Sequence, residues 1–273
     1  MNNIAAAILS YNHPGHTANC LQSALNFFEA KDTFLIHNGS LTQHTQALKN
    51  QFSDIHHIEL PVNKGFTGGA NALLKFAFKS HPTVLFLTND TELTAVDFSF
   101  KNNLKDPALF FSSIKLMKRN SNEVDSVMGG LDASCGQLSH QKSNTIQNNK
   151  LIPYIPGTAF WISKKYFELL DGFDESFHTY WEDVDFSLRA QKLGLELNQD
   201  ANTIAKHKIG KTCHKDRFYT YHLYQRNRGR FMRKHQMTSF NFYTHYIYDL
   251  LKHSKKDYAK AYSIFKDHKV KNG

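Results

Sequence analysis

The first 90 residues alternate between unbroken apolar runs and stretches with helical spacing. Residues 4–9 are continuously apolar and predict a buried strand. After His13-Pro14-Gly15, residues 17–30 place Leu21, Ala24, Leu25 and Phe28 on one helical face. Residues 33–37 predict a second strand closed by Asn38-Gly39-Ser40, and residues 55–60 a third ended by Pro61. Residues 66–79 are helical, with Ala70, Leu73, Leu74 and Ala77 on the buried side. Residues 84–87 are apolar on both faces, as a central parallel strand requires. Strand alternating with helix implies right-handed crossovers and an α/β fold with a mainly parallel sheet. Ligands of such sheets bind beyond the strands' carboxyl ends. That rule selects Ser10-Tyr11-Asn12, His37-Asn38-Gly39, residues 63–69 and Asn89-Asp90.

Residues 104–163 are less regular. Strands are expected at 108–117, 124–131 and 158–163, with a polar loop at 139–150. A short helix over 164–170 ends at Gly172, and a longer one over 182–193 ends at Gly194. Two further strands are expected at 195–198 and 204–207, and from His214 the pattern is helical to the end. No internal repeat or flexible linker interrupts the chain.

Composition narrows the class. The 273 residues are 41% hydrophobic and 21% charged, enough apolar matter for a sizeable core. No apolar run reaches the length needed to span a bilayer, and the N-terminal apolar stretch has no positive charge before it, unlike a secretory signal. Cys20, Cys135 and Cys213 are isolated, which fits reduced thiols in a cytoplasmic protein. The net charge of +9 is uneven: residues 1–200 hold 16 Lys and Arg against 20 acids, residues 201–273 hold 17 against 4. A basic terminal region suits phosphate-rich partners; a solvated basic helix is the plainer reading.

Four constellations can carry chemistry. Asp90 ends a buried strand, where its carboxylate can hold a divalent cation bridging phosphates, or simply close a turn. Glu182, Asp183 and Asp185 open a helix, where acids cap and favour the positive end, but Glu182 or Asp183 in a pocket can accept a proton. Phe173, Phe177, Tyr180 and Trp181 around them suit either a sugar face or the core. His207 follows a short strand as a candidate partner for a cation already held by a carboxylate. Gly65, Gly68 and Gly69 sit at a strand-to-helix junction where backbone can approach a nucleotide and leave helix-start amides free. The spacing matches neither a dinucleotide fingerprint nor a P-loop.

Taken in order, ILSYN (8–12), HNGS (37–40), NKGFTGGAN (63–71), LTNDTEL (87–93), PGTAFWISKKYFELLDGFDESF (156–177), EDVDFSLRAQKLG (182–194), HKIG (207–210) and YQRNRGRFMRK (224–234) resemble the family-2 inverting glycosyltransferases, especially their bacterial rhamnosyltransferase-like branch. The resemblance implies a GT-A fold. Residues 1–213 would form the catalytic domain, with a Rossmann-like nucleotide-sugar half at 1–95, an acceptor half at 96–213, and a basic helical extension at 214–273. It implies nucleotide-sugar contacts from Ser10, Tyr11, Asn12, Asn38, Asn63, Gly65, Asn71 and Asn89. Asp90 matches the metal-binding acid and His207 the histidine that helps hold Mn2+ or Mg2+. Asp183 resembles the catalytic base, with Glu182 beside it, and Gly157 and Thr158 the acceptor wall. Trp181 is expected against the acceptor sugar, and Arg226 and Arg228 against phosphate. The family's second loop carries an aspartate that grips the base; His37 stands there here. The metal motif is reduced to Asn89-Asp90-Thr91.

The expected activity is transfer of a sugar from a nucleotide-diphosphate donor to a saccharide or lipid-linked acceptor, in surface polysaccharide or glycolipid assembly. An anionic inner membrane surface is a further expected partner, and nucleic acid is not expected. Two other classes were weighed. A nucleotidyltransferase lacks its Gly-rich basic loop after residue 9, and a nucleic-acid-binding protein leaves the acidic first 200 residues and Glu182-Asp183 without a purpose.

Overall fold

The computed structural model describes residues 3–142, 150–207 and 217–254. The first third runs β1 (Ile4–Ser10), α1 (Pro14–Ala24), β2 (Thr33–Asn38), α2 (Thr42–Gln51), β3 (His56–Leu60), α3 (Gly65–Ala77) and β4 (Thr83–Thr88). Proline suits the first turn of α1, where its missing N–H has no helical partner. α2 is not apparent from hydrophobic spacing because only Thr45 and Leu48 are buried along it.

The chain continues through β5 (Thr91–Ala95), β6 (Phe111–Lys118), β7 (Val124–Ser126), β8 (Met128–Asp132), β9 (Gln137–Gln141), β10 (Leu151–Tyr154) and β11 (Ala159–Ser163). It ends with α4 (Lys164–Leu169), α5 (Glu182–Lys192), β12 (Asn198–His207), α6 (Arg217–Lys234) and α7 (Phe240–Ser254).

Nine strands form the main sheet, in the order β3-β2-β1-β4-β11-β6-β12-β5 with β7 on β6. β3, β2, β1 and β4 pair in parallel, as expected. Beyond β4 the sheet is mixed: β11 runs antiparallel to β4 and β6, β12 parallel to β6 and antiparallel to β5. A separate sheet, β10-β8-β9, lies beside it.

Several expected elements differ. The strand at 124–131 is two, split so that β7 joins the main sheet and β8 the small one. Residues 139–141 of the expected loop belong to β9, and 143–149 lie outside the described residues. The strand expected at 195–198 is absent over 195–197, and Asn198 instead opens a single longer strand, β12, that takes in the strand expected at 204–207 and whose register shifts between Asp200 and Ile204. Asp200 accepts the indole N–H of buried Trp161 at 3.0 Å and backbone N–H groups from Asn202 and Thr203, satisfying the shifted turn.

Both faces of the sheet are covered by core. One layer interleaves Phe86, Phe111, Phe160, Phe173 and Phe186 with α3 and α5, the other packs α1 onto β1 and β4. The rings of Phe86 and Phe160 stack across paired strands at 4.7 Å. A third cluster, including Trp181, Phe177, Phe231 and Phe242, seats α6 and α7 on α5 and the small sheet.

Candidate functional site

A cleft of ≈ 620 Å³ opens beyond the carboxyl ends of β1, β2 and β4. Tyr11, Asn38, Asn63, Gly65, Asn89 and Asp90 line one wall; Gly157, Thr158, Glu182, Asp183 and His207 line the other. Side chains from four distant stretches thus share one cavity.

The first wall is set by strand ends and by one asparagine. Asn38 donates to Asn63 Oδ1 at 3.1 Å and to the Gly65 carbonyl at 2.8 Å, and accepts from the Lys64 N–H at 3.0 Å. Gly65 has φ +70°, and a Cβ there would lie 2.4 Å from the His178 carbonyl, so the crossing of the two loops requires glycine. Gly69 lets α3 close on β1 and β2: a Cβ would stand 2.7 Å from Leu9 and 2.8 Å from Asn38. The amides expected to be free here are engaged by protein. Gly65 N–H donates to Asn63, Phe66 N–H to Thr179 Oγ1 at 3.1 Å, and Thr67 N–H to the His178 carbonyl at 3.2 Å. The glycines serve loop crossing and helix packing.

Three residues expected to touch the nucleotide support the wall without lining the cleft. Ser10 is buried against Thr17 (2.8 Å), and Asn12 accepts from the Leu41 N–H at 3.1 Å while its carbonyl receives Asn89. Asn71 is spent on Phe173, exchanging bonds of 2.9 Å with its N–H and carbonyl. His37 is also displaced from the expected reading. It is 1% exposed and stacks on His57, with Nε2 2.9 Å from His57 Nδ1, while its strand neighbour Asn38 lines the cleft. Strand alternation sends the two side chains to opposite faces. Burial, then the neighbouring His57, lowers the His37 pKa to about 4, so the His37 ring is neutral.

Asp90 sits just past β4, its Oδ1 accepting from Thr88 Oγ1 at 2.7 Å. Its Oδ2 lies 3.7 Å from His207 Nε2, and His207 Nδ1 lies 3.3 Å from Asp125 Oδ2. Burial works against charge on both Asp90 and His207. The contacts with Asp125 and Asp90 nevertheless raise His207 to about 9, and Asp90 is held below the usual aspartate range. Among the described residues no cluster of three or more His, Cys, Asp or Glu side chains is arranged to hold a metal. The protein offers two potential donors, the Asp90 carboxylate and the His207 imidazole, the second only when a cation displaces its Nε2 proton. Asp125 holds the far imidazole nitrogen, as outer-shell carboxylates do for metal-bound histidines. Lys208, Ile209 and Gly210 of the HKIG stretch lie outside the described residues.

Asp183 enters the cleft from the first turn of α5. Its Oδ2 accepts the Gly157 N–H at 3.0 Å and its Oδ1 the Val184 N–H at 2.8 Å. Glu182 is 5% exposed, and its Oε2 has no hydrogen-bond partner among the described residues. Burial raises both carboxyls, and the charge of Asp183 raises Glu182 further, well above the usual range. N–H donors from Gly157 and Val184 favour charge on Asp183, while only a backbone bond opposes burial at Glu182, so of the two carboxyls Glu182 takes up a proton more readily. The capping role expected of these acids is not seen: the cap is Trp181, without a side-chain bond. Asp185 pairs with Arg189, one helical turn on, at 2.8 Å.

The loop before α5 is strained. His178, Tyr180 and Trp181 have φ of 62°, 71° and 74°, a region costly for residues with side chains. Asn227 of α6 holds it: one amide nitrogen donates to the carbonyls of Phe177 (2.6 Å), Thr179 (2.7 Å) and Tyr180 (3.0 Å).

Trp181 is 1% exposed and packs on Tyr224 and Phe231, so it is core and does not face an acceptor sugar; Phe173 and Phe177 are core as well. Arg228 is also corrected. It is 2% exposed, bonded to Asp249 (2.6 Å), Gln225 (3.1 Å) and the Cys135 carbonyl (2.5 Å), and holds α6 and α7 together away from the cleft. Arg226 is exposed and does not line the cleft either, although its charge contributes to lowering the His178 pKa. The second wall includes residues the sequence reading passed over: His178, Thr179, Tyr219, Thr220 and Leu223. Asp125 and Asn227 were missed too, since each acts through a partner about 50 or more residues away.

Comparison with known proteins places this cleft in a recognisable fold. Residues 6–98 match the family model described as Glycosyl transferase family 2. The chain is 26% identical over 152 residues to the low-salt glycan biosynthesis hexosyltransferase Agl10 of Haloferax volcanii, covering 54% of this chain and 49% of that protein. It thus spans about half the length of the curated relative it matches. The structure resembles GalNAc-T7 solved with UDP, GalNAc and Mn2+ (TM-score 0.59, 13% identity, 75% of this chain and 43% of that chain). It also resembles the mannosyltransferase PcManGT of Pyrobaculum calidifontis, solved with GDP-Man and Mn2+ (TM-score 0.54, 12% identity, 94% of this chain and 71% of that chain). The family-2 resemblance and the GT-A fold expected from the sequence both hold.

Proposed function

We propose that the chain is a metal-assisted, inverting glycosyltransferase that moves a hexosyl or rhamnosyl-type sugar from a nucleotide diphosphate to an acceptor hydroxyl in glycan assembly. The observation that carries this reading is the convergence of Asp90, His207 and Asp183 on one cleft. The solved relatives with UDP or GDP-Man and Mn2+ support it.

The donor's nucleotide lies along Tyr11, Asn38 and Asn63, with its diphosphate toward Asp90 and His207. Asp90 and His207, once the imidazole has given up its Nε2 proton, would hold a divalent cation, which would supply positive charge to the departing diphosphate. Asp125 keeps the second imidazole nitrogen of His207 occupied, so Nε2 remains the nitrogen presented to the site. Asp183 takes the proton of the acceptor hydroxyl as its oxygen bonds to the anomeric carbon and the sugar–phosphate bond breaks on the opposite side. Burial makes Asp183 a stronger base, and the N–H groups of Gly157 and Val184 hold its oxygens in place. Protonated Glu182 adds no second negative charge beside it. Tyr180 and Tyr219 give the acceptor side an aromatic surface.

A panel of nucleotide sugars with Mn2+ tests the proposal, read by donor hydrolysis and by NMR of the product's anomeric configuration. One donor turned over with inversion is the expected result. Retention of configuration would overturn the mechanism, and no turnover or binding of any donor would overturn the function.

A further inference from the structure

One face of α6 leads out of the cleft. Tyr219, Leu223, Arg226 and Arg230 follow one another at intervals of four, three and four residues, the spacing of a single helical stripe. Tyr219 and Leu223 line the cleft. Arg226 stands at its rim: exposed, yet close enough to Tyr219 and to His178, another lining residue, to interact electrostatically with both. Arg230 lies one turn further on, and its Nη1 donates to the Ser176 carbonyl. Partial burial, then the charge of Arg230, lowers the Arg226 pKa, so the two cations are neighbours. Like charges one turn apart weaken a helix unless an anion joins them. Arg119, Arg189 and Arg228 each pair with an acid. Arg226 and Arg230 meet neutral oxygens instead, and among the described residues no carboxylate pairs with either. Arg226 is nevertheless oriented by a buried side chain. Asn227, whose nitrogen holds the loop before α5, turns its Oδ1 to Nε and Nη2 of Arg226, each at 3.3 Å.

We infer that Arg226 and Arg230 form an anion site at this rim, which takes a phosphate or diphosphate ester carried by the acceptor while the reacting hydroxyl reaches Asp183 inside the cleft. The inference deepens the proposed function and rests on it for the identity of this wall. Each guanidinium is a flat fork of five N–H groups, more than the bonds to Asn227 and Ser176 use, and such forks match phosphate oxygens in pairs. Tyr219 and Leu223 continue the same stripe into the cleft, so a phosphate at the rim and a reacting group inside can belong to one molecule. The donor's diphosphate has its own proposed place at Asp90 and His207.

The test is calorimetric titration of the full chain, freed of divalent cations, with geranyl diphosphate and with inorganic pyrophosphate. Binding is expected, weakened at least about tenfold by Arg226→Gln with Arg230→Gln. Arg226→Glu, a single change at an exposed position, provides a second variant and should abolish binding. Arg233→Gln removes the same charge from an exposed position beside Tyr246 and should bind like the parent. Tighter binding of geranyl diphosphate than of pyrophosphate would assign the phosphate to a lipid-linked acceptor, and equal binding to a water-soluble phosphate ester. The inference is overturned if neither probe binds, if the Arg226 and Arg230 variants bind like the parent, or if Arg233→Gln weakens binding as much as they do. The titration uses neither donor nor metal. Probe binding without turnover of any donor would therefore leave the anion site standing and remove the transferase reading, whereas donor turnover without probe binding would remove only the anion site.

Discussion

On the wall proposed to hold the donor, Tyr11, Asn38 and Asn89 stand where parallel strands end, and Asp90 follows β4 directly. On the wall proposed to face the acceptor, Asp183 depends on a loop with three residues at positive φ, held from behind by Asn227, and on a helix fastened to α6 through Asp185. The first wall is positioned by backbone pairing and the second by buried side-chain bonds across long sequence separations. Substitutions on the donor wall should therefore act locally. Those behind the acceptor wall should disturb both stability and chemistry.

The largest expected effect is at the proposed base, Asp183. Asp183→Asn should lower kcat by about 10²–10⁴-fold while the donor dissociation constant, measured by calorimetry, stays near the parent value. A comparable loss of donor binding would erase the division between the walls.

Next comes Asp185, fully buried and bonded to His235 (2.8 Å), Lys234 (2.7 Å) and Arg189 (2.8 Å). Asp185→Asn leaves Lys234 and Arg189 short of their charged partner and should cost about 3–5 kcal/mol in urea unfolding. Burial opposes its charge, but His235, Lys234 and Arg189 hold its pKa below the ordinary value. Its stabilisation is thus fully present above the unfolded aspartate value of about 3.9 and is lost as pH falls below that through the folded value. The parent should weaken across that acid window more than Asp185→Asn does.

Asn227→Ala removes a donor shared by three carbonyls and should cost about 1–3 kcal/mol. Because the loop it holds also bonds Phe66 and Thr67, kcat should fall while the far strand ends keep their donor contacts. A stability loss with normal kcat would reduce Asn227 to a packing residue. The smallest effect is expected at Asp90→Ala: donor affinity in Mn2+ lower by about tenfold, equivalent to about 1.4 kcal/mol, with little change without metal.

The same contrast explains how much was legible in the sequence. Apolar runs ended by short polar segments mark β1, β2 and β4, and the rule for parallel sheets then points at Asn38, Asn89 and Asp90 without further knowledge. Residues 6–98, which match the family model, are this part of the chain. Alternation along β2 also contained the correct choice between His37 and Asn38, but which face meets the cleft depends on α3 and its glycines. Behind the acceptor wall the local pattern misleads. Trp181 beside two acids suggests a sugar platform, yet it packs under α6, and Arg228 suggests a phosphate contact, yet it is consumed by Asp249 and the Cys135 carbonyl. Asp125 has no local signal, because it meets His207 only through strands that flank β6.

The most direct measurement is the thermal shift of the full chain against nucleotide-diphosphate sugars with Mn2+, in the parent and in Asp90→Ala and Asp183→Asn. The account predicts that one donor raises the melting temperature of the parent and of Asp183→Asn, and that Asp90→Ala loses most of that rise. A rise untouched by Asp90→Ala, or no rise with any donor, would contradict a metal-assisted nucleotide-sugar site in this cleft.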